Sequence, residues 1–535
     1  MYEVYIRSFA DADGDGVGDI AGIRSRLPYL RDLGIDAVWI TPWYPSPMAD
    51  GGYDVADYRD IEPRLGSLRD ADDLLQAAHE HGIRVLIDLV PNHTSSAHPW
   101  FGEAIAAGPG SRARARYFFR DGRGPTGDQP PNDWQSAFGG SAWSRVTEPD
   151  GGSRPWYLHL FAPEQPDLDW QNPEVRDEFE SILRFWFDRG IDGVRIDVAD
   201  ALVKDPELPD MPSNLSGAGS FSGEHPHWDR PGVHEIHQAW RAVADGYRPP
   251  RVLMGEIGVP DPERLARYLR PTQLHAAFNF PFMGTAWDAT LLRSVIDSTV
   301  ETHRTVGAAP TWVLSNHDAT RAVTRLGRPY SGVRRRELDD IQVADIALGT
   351  RRARAAALLM LALPGSAYLY QGEELGLWEV QDLPEEALED PIWERSGRVV
   401  RGRDGCRVPL PWSGDVPPFG FGAPGSTPWL PQPAAWRSLT AEHEAGDPES
   451  MLGLYRTALR LRRDHPGLAG EDLAWLDSPA GTLLFGRAAR FRCAVNISGA
   501  PLALPARRRT LVATESVMDD RLAPNAAIWF VAEDA

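Results

Sequence analysis

Eight short apolar runs recur along the chain, at residues 3–6, 37–40, 84–89, 193–196, 252–254, 276–278, 312–314 and 367–370, each of a length suited to a buried strand. Between them lie segments with a helical spacing of apolar positions, such as 20–33, 68–81, 175–189, 262–269 and 351–363. Strands alternating with helices imply parallel pairing through crossovers, and eight such units predict an α/β fold closed as a (β/α)₈ TIM barrel. Residues 1–94 and 167–468 are assigned to that barrel. The stretch 95–166 is rich in Gly, Pro, Trp and Arg, lacks a helical period, and is too long for an ordinary βα loop. It predicts a small domain inserted after strand three, while a second Pro- and Gly-rich stretch, 376–448, predicts a long loop structure over strand eight. After a helix at 451–464, alternating runs at 482–484, 492–497, 510–513 and 527–531 predict a C-terminal antiparallel β-sandwich over 469–535.

Composition narrows the partners. The chain has 535 residues, 42% of them hydrophobic, enough to bury a large core. A formal charge of −21 works against nucleic acid and against anionic membrane surfaces as partners. The longest apolar stretch, 355–363, stops at Pro364-Gly365, well short of the ~20 residues a membrane helix needs. The opening MYEVYIRSFA has neither a basic leader nor a long apolar region, so a cytoplasmic location is expected. Cys406 and Cys493 are the two cysteines, expected as free thiols.

The acidic residues gain meaning from where they fall. Asp88, Asp197, Glu256, Asn316 and Asp318 all sit at or just past strand ends, the face on which barrel enzymes build their sites. Cleavage of a sugar acetal needs one carboxylic acid to protonate the departing oxygen and one carboxylate to receive the ring carbon. With 76 acidic side chains, most Asp and Glu are solvated surface groups, and only the order and apolar flanks of GVRIDV, LMGEIG and LSNHD single these out. Arg195 lies two residues before Asp197, so on a strand it shares a face with it and would hold it ionised. Glu256 follows the apolar run Val-Leu-Met-Gly, where desolvation is expected to raise its pKa toward that of a proton donor.

Six motifs in order carry a resemblance that covers nearly the whole chain: DLVPNHTS at 88–95, QPDLDW at 165–170, GVRIDVA at 193–199, GEI at 255–257, SNHD at 315–318 and YQGEELGL at 370–377. The chain resembles the α-amylase superfamily of glycoside hydrolases, family 13, in its exo-acting α-glucosidase and oligo-1,6-glucosidase branch. The resemblance implies a retaining double displacement with Asp197 as nucleophile, Glu256 as general acid and then base, and Asp318 as a distorting, transition-state-stabilising carboxylate. It also implies substrate-hydroxyl contacts for His93 and His317. The segment PSPMADGGYDVADY maps Asp50 and Tyr53 to the blind end of a sugar pocket, with Arg407 of RDGCRVPLPW as the basic partner of Asp50. Such a pair would grip the terminal 4-hydroxyl and restrict cleavage to the non-reducing end, against an open-cleft endo-amylase; a surface salt bridge is the bland alternative.

Near the start, Asp11, Asp13 and Asp15 stand at alternate positions like the first half of an EF-hand loop, with Asp19 following and the Val17 carbonyl available. The closing Glu is absent, since the twelfth position is Gly22. The resemblance implies a structural Ca²⁺ on these five residues and no catalytic cofactor; an acidic turn without an ion is the alternative. Val198 after the nucleophile accompanies α-1,6 cleavage in the family, yet a branched side chain shifts discrimination by only ~1–3 kcal/mol. The surrounding DVADALVKDPELPD is similar to bacterial α-glucosidases acting on maltose-type substrates. The expectation is therefore an exo-α-glucosidase on short malto- or isomalto-oligosaccharides, bond preference open. The alternative is a glucosyl-transferring isomerase of the sucrose isomerase or trehalose synthase type. A catalytically dead relative would lack a carboxyl, and none of the three is missing. Asp169 departs from the family pattern, which has Asn in many relatives.

Overall fold

The computed structural model describes residues 1–146, 154–212, 225–333 and 342–533. Eight parallel strands, Tyr2–Val4, Ala37–Ile40, Arg84–Leu89, Gly193–Ile196, Val252–Gly255, Ala276–Ala277, Thr311–Val313 and Ser366–Tyr370, lie side by side in chain order, with the first also paired to the eighth. No ladder joins the sixth and seventh strands among the described residues, but the Thr311 hydroxyl donates to the Ala277 carbonyl across that seam. The barrel is nearly closed. Strand side chains alternate as the pleat requires: Val38 and Ile40 face the helices, while Trp39, with Leu86, Met254, Phe278, Val313 and Tyr368, fills the lumen.

The helices are fixed by their ends. Ser67 and Asp70 form a reciprocal capping box at Leu68–Glu80, and Asn172, Asp288, Asp345 and Ser450 cap Pro173–Asp188, Ala289–Val306, Ile346–Ala362 and Met451–Asp464. The helix expected over 20–33 is two, Ile20–Ser25 and Leu27–Leu33. Pro28 lies in the first turn of the second, where its missing N–H removes one hydrogen bond to the preceding turn. The stretch 95–166 is also less irregular than expected: it opens with a helix, Pro99–Ala107, and holds a three-stranded antiparallel sheet of Phe119–Arg120, Trp156–Leu158 and Trp143–Arg145. Phe118, Trp134, Trp143, Leu158 and Leu160 give it a core of its own.

At the C-terminus five antiparallel strands run in the order Ala474–Trp475, Thr482–Gly486, Phe491–Asn496, Ala526–Ala532 and Arg507–Ala513. A two-stranded ribbon, Leu502–Ala503 with Arg521–Leu522, covers one face, where Leu484, Ile528 and Phe530 meet Leu502 and Leu522. The other face packs on the helix Ile346–Ala362, into which Trp529 Nε1 donates a hydrogen bond at Leu358 O, 2.9–3.0 Å being an ordinary length and 3.0 Å the one observed.

Candidate active site

Strand register builds the centre. In the parallel ladder Asp88 stands opposite Arg195, and Arg195 opposite Met254, so the loops that follow place Asp197 and Glu256 side by side. The Asp197 N–H donates to Leu89 O and the Glu256 N–H to Ile196 O, both at 2.9 Å, which extends the ladder one step into the site. Arg195, 1% exposed, touches three carboxyls: Asp197 at 2.6 Å, Asp88 at 2.9 Å and Glu256 at 2.8 Å. Asp88 also accepts from Tyr53 OH at 2.9 Å and Trp39 Nε1 at 3.2 Å. Burial pushes the Asp197 carboxyl well above its ordinary range; Arg195 pulls it back, and Glu256 and Asp88 push it up again. Three acids around one guanidinium favour a proton held within the group. Asp88 accepts from three donors, so its oxygens are taken up as acceptors.

The desolvated setting expected for Glu256 falls instead to its neighbour. The Glu256 side chain is 21% exposed, against 9% for Asp197, and takes a hydrogen bond at Oε2 from the Val198 N–H at 3.1 Å. The apolar run before Glu256 is the strand itself, whose side chains face helix and lumen, and it does not wrap the carboxyl. Val198 has φ of 45°, a left-handed conformation that is costly for a β-branched residue and that aims its N–H at Glu256.

Asp318 stands opposite, held by Arg407 at 2.8 Å and Arg403 at 3.0 Å. Withdrawal from bulk water would raise its pKa, but the guanidinium groups of Arg403 and Arg407 outweigh that and hold it far below the usual carboxylate range. The expected pairing of Asp50 with Arg407 is corrected: Arg403 Nη2 binds Asp50 at 2.6 Å, while Arg407 gives Nε to His317 O at 3.0 Å and Nη2 to Asp318. Both arginines flank a single 3₁₀ turn, Asp404–Cys406, and converge on Asp318. Arg403 is fixed between Asp50, Asp318 and Asp390, the last at 2.6 Å. The signal available in RDGCR was a second arginine four residues upstream on the same turn.

A cavity of about 200 Å³ opens over this centre, lined by Asp50, Tyr53, His93, Asp197, Val198, Glu256, Asp318 and Arg403. Phe138 and Phe161, from the inserted segment, and Trp228 and Phe280 supply aromatic walls that no motif announced. His93 reaches the cavity and meets Tyr53 O and Gln165 Nε2, each at 3.1 Å; burial lowers its pKa to about 4, so it is neutral. His317 is set behind the wall, stacked on Tyr53 at 5.3 Å with 7° between the rings. The chain's one lysine, Lys204, is buried and joins Asp167 at 2.8 Å to Asn92 at 2.6 Å, tying the return of the inserted segment to the loop carrying His93.

Away from the cavity, carboxylate oxygens of Asp11, Asp13 and Asp15 come within 4.8 Å of one another. Asp19 stands apart from that cluster, because it caps the helix Ile20–Ser25 through Gly22 N at 2.6 Å and accepts from Ala12 N at 2.8 Å. Asp11 accepts from Gly14 N at 2.6 Å and Gly16 N at 3.0 Å, which curls the loop so that its three acids converge. Burial and the neighbouring Asp13 and Asp15 raise the Asp11 pKa.

A parallel barrel with a carboxyl pair beneath a pocket at its C-terminal face defines a carbohydrate-cleaving enzyme. The chain belongs to the alpha-amylase family of glycoside hydrolases, whose catalytic domain it matches over residues 3–471. It is 37% identical over 507 residues to a protein named probable alpha-glucosidase from Rhizobium meliloti (strain 1021), covering 91% of this chain and 86% of that one. It is 35% identical over 498 residues to an oligo-1,6-glucosidase from Parageobacillus thermoglucosidasius, covering 87% and 83%. Among solved structures, the alpha-glucosyl transfer enzyme XgtA superposes with a TM-score of 0.84 at 36% identity, covering 99% and 98%. The isomaltulose synthase PalI from Klebsiella sp. LX3 gives 0.85 at 30% identity, again covering 99% and 98%. Among the described residues no helix is long and apolar enough to cross a membrane.

Proposed function

We propose that the protein is a retaining exo-α-glucosidase that releases glucose from the non-reducing end of short α-1,4- or α-1,6-linked oligosaccharides. The observation that carries this reading is the shared guanidinium of Arg195, which holds Asp197 and Glu256 together beneath a pocket closed by Asp50 and Arg403. In the first step the proton held within the group passes from Glu256 to the glycosidic oxygen while Asp197, ionised and held by Arg195, attacks the anomeric carbon, and the aglycone leaves as an alcohol. In the second, Glu256 takes a proton from water, whose oxygen displaces Asp197 with a second inversion. Asp318, kept ionised by Arg403 and Arg407, faces the sugar as it gains positive charge. Asp197→Asn and Glu256→Gln are each expected to lower kcat by several orders of magnitude without unfolding the protein. NMR of the first product should show α-glucose; β-glucose first would reject retention.

A second reading is favoured by the likeness to a glucosyl transfer enzyme and an isomaltulose synthase. There the same covalent glucosyl-enzyme is attacked by a sugar instead of water. Incubation with maltose, isomaltose, sucrose and trehalose, following free glucose against transferred or isomerised product, separates the two.

The Asp11, Asp13 and Asp15 carboxylates supply the all-oxygen donor set that a hard cation such as Ca²⁺ prefers, and the Val17 carbonyl, two residues on, would be a further donor. A bound ion would neutralise their mutual repulsion and brace the loop that Asp19 anchors to its helix. Chelation is expected to lower Tm, with restoration by Ca²⁺, and to leave the chemistry of the folded enzyme unchanged.

A further inference from the structure

Behind the cavity wall, His317 carries a contact that the catalytic scheme does not use. Its Nδ1 lies 2.5 Å from Oε1 of Glu3, a residue of the first strand that is 4% exposed. Oε1 also receives the His317 backbone N–H at 3.2 Å. On the far side of the ring, Nε2 is buried without a hydrogen-bond partner and stands 3.5 Å from Asp318 Oδ1. The ring cannot turn to choose another arrangement, because it is stacked between Tyr5 at 5.7 Å and Tyr53 at 5.3 Å.

Proton placement follows from these contacts. Asp318 is an ionised acceptor, so an Nε2 lone pair aimed toward it would be repelled, whereas Nε2–H is attracted. A neutral imidazole that bears its hydrogen on Nε2 offers a bare lone pair at Nδ1, and a contact of 2.5 Å there requires a donor. We propose that Glu3 is a positioning residue: as a carboxylic acid it donates from Oε1 to His317 Nδ1, fixing the tautomer whose Nε2–H faces and orients Asp318. Burial acts in the same sense on both partners, raising Glu3 well above its ordinary range and lowering His317 to about 3. The charged groups around the pair are Asp88 and Asp318 against Arg195, Arg403 and Arg407. The neutral pair adds no net charge to that balance. This role rests on the assignment of Asp318 to the glucosidase reaction, but the proton itself is readable without any activity.

The test combines histidine ¹⁵N NMR on the intact protein, with His317 assigned by comparison to His317→Gln, and kinetics of two variants. An unprotonated Nδ1 with a protonated Nε2 at neutral pH is the expected signature; a protonated Nδ1, in a neutral ring or an imidazolium, overturns the proposal whether or not the protein hydrolyses glucosides. Glu3→Gln should keep the signature, since the amide N–H donates to Nδ1, and keep kcat within a few-fold. Glu3→Leu has no donor and should lower kcat at least tenfold with little change in KM, in protein whose circular dichroism matches wild type. Equal kcat in the two variants would also overturn it. If the NMR signature holds but no glucoside is cleaved, the functional reading fails and the proton assignment stands.

Discussion

At the residue scale, the far wall of the pocket is set by Arg403, which like Arg195 faces three acids. Arg403 meets Asp50, Asp318 and Asp390 from separate nitrogens, so its planar fork orients the closing wall and the stabilising carboxylate together. A lysine would bring the same charge as a single point and could not meet all three acids at once, although Asp318 would keep Arg407. Breaking a buried pair costs about 3–5 kcal/mol, equivalent to roughly 10²–10⁴-fold. Arg403→Lys is therefore expected to lower kcat/KM on maltose-type disaccharides by about that factor, and to do so less for longer oligosaccharides, which gain from an opened pocket end. A kinetic series over chain length checks this, and an unchanged kcat/KM would show that the pocket closes by other means. The residues bearing chemistry were legible in the sequence because each sits directly after a buried apolar strand. The partners were not, since Asp50 and Arg403 are 353 residues apart and nothing local distinguishes Arg403 from Arg407. Asp169 accepts from Gln171 N at 3.0 Å within its own turn, a local role that an acid performs well.

At the scale of elements, the barrel strands were readable because both of their faces are buried, which leaves nearly continuous apolar runs. The sixth was the weakest, and only Ala276–Ala277 pairs in it. Pro99–Ala107 is not legible in the sequence because Pro, Gly102 and apolar residues all round leave no 3.6-residue stripe. Elements also meet through buried acids that the apolar pattern does not reveal. Glu373, after strand eight, accepts from Ser315 and from Tyr455 of the helix Met451–Asp464, at 2.7 and 2.8 Å. Burial raises its pKa to about 7. A Glu in the unfolded chain titrates near ~4.3, so the folded state holds the proton more tightly. Its stabilisation is full below ~4.3 and is lost as pH rises to about 7, by on the order of a few kcal/mol. Glu373→Gln retains an acceptor for one hydroxyl and loses the ionisable proton. The variant should therefore show a smaller fall in Tm between pH 5 and 8 than wild type, in calorimetry of both proteins; parallel curves would place the acid in a wetter setting.

At the scale of the whole molecule, the C-terminal sheet is continuous with the barrel's support. The helix Ile346–Ala362 is buried along most of its length because one side packs on the barrel and another on the five-stranded sheet. Trp529, fully buried, donates to Leu358 O, and Arg487 Nη1 donates to Ala362 O at 3.0 Å, so the sheet also satisfies carbonyls near the end of that helix. Phe491 lies edge-on against Trp529 at 5.4 Å, and the same core cluster runs from these rings into the barrel. Replacing Trp529 by Ala removes a large buried ring and leaves a cavity, at a cost of about 3–5 kcal/mol. Because the sheet and barrel share a core, that loss should appear as one cooperative transition at lower temperature, with kcat of the folded protein unchanged. Differential scanning calorimetry of Trp529→Ala decides the matter: a separate low-temperature transition, with the main one left where wild type has it, would mean that the sheet unfolds by itself.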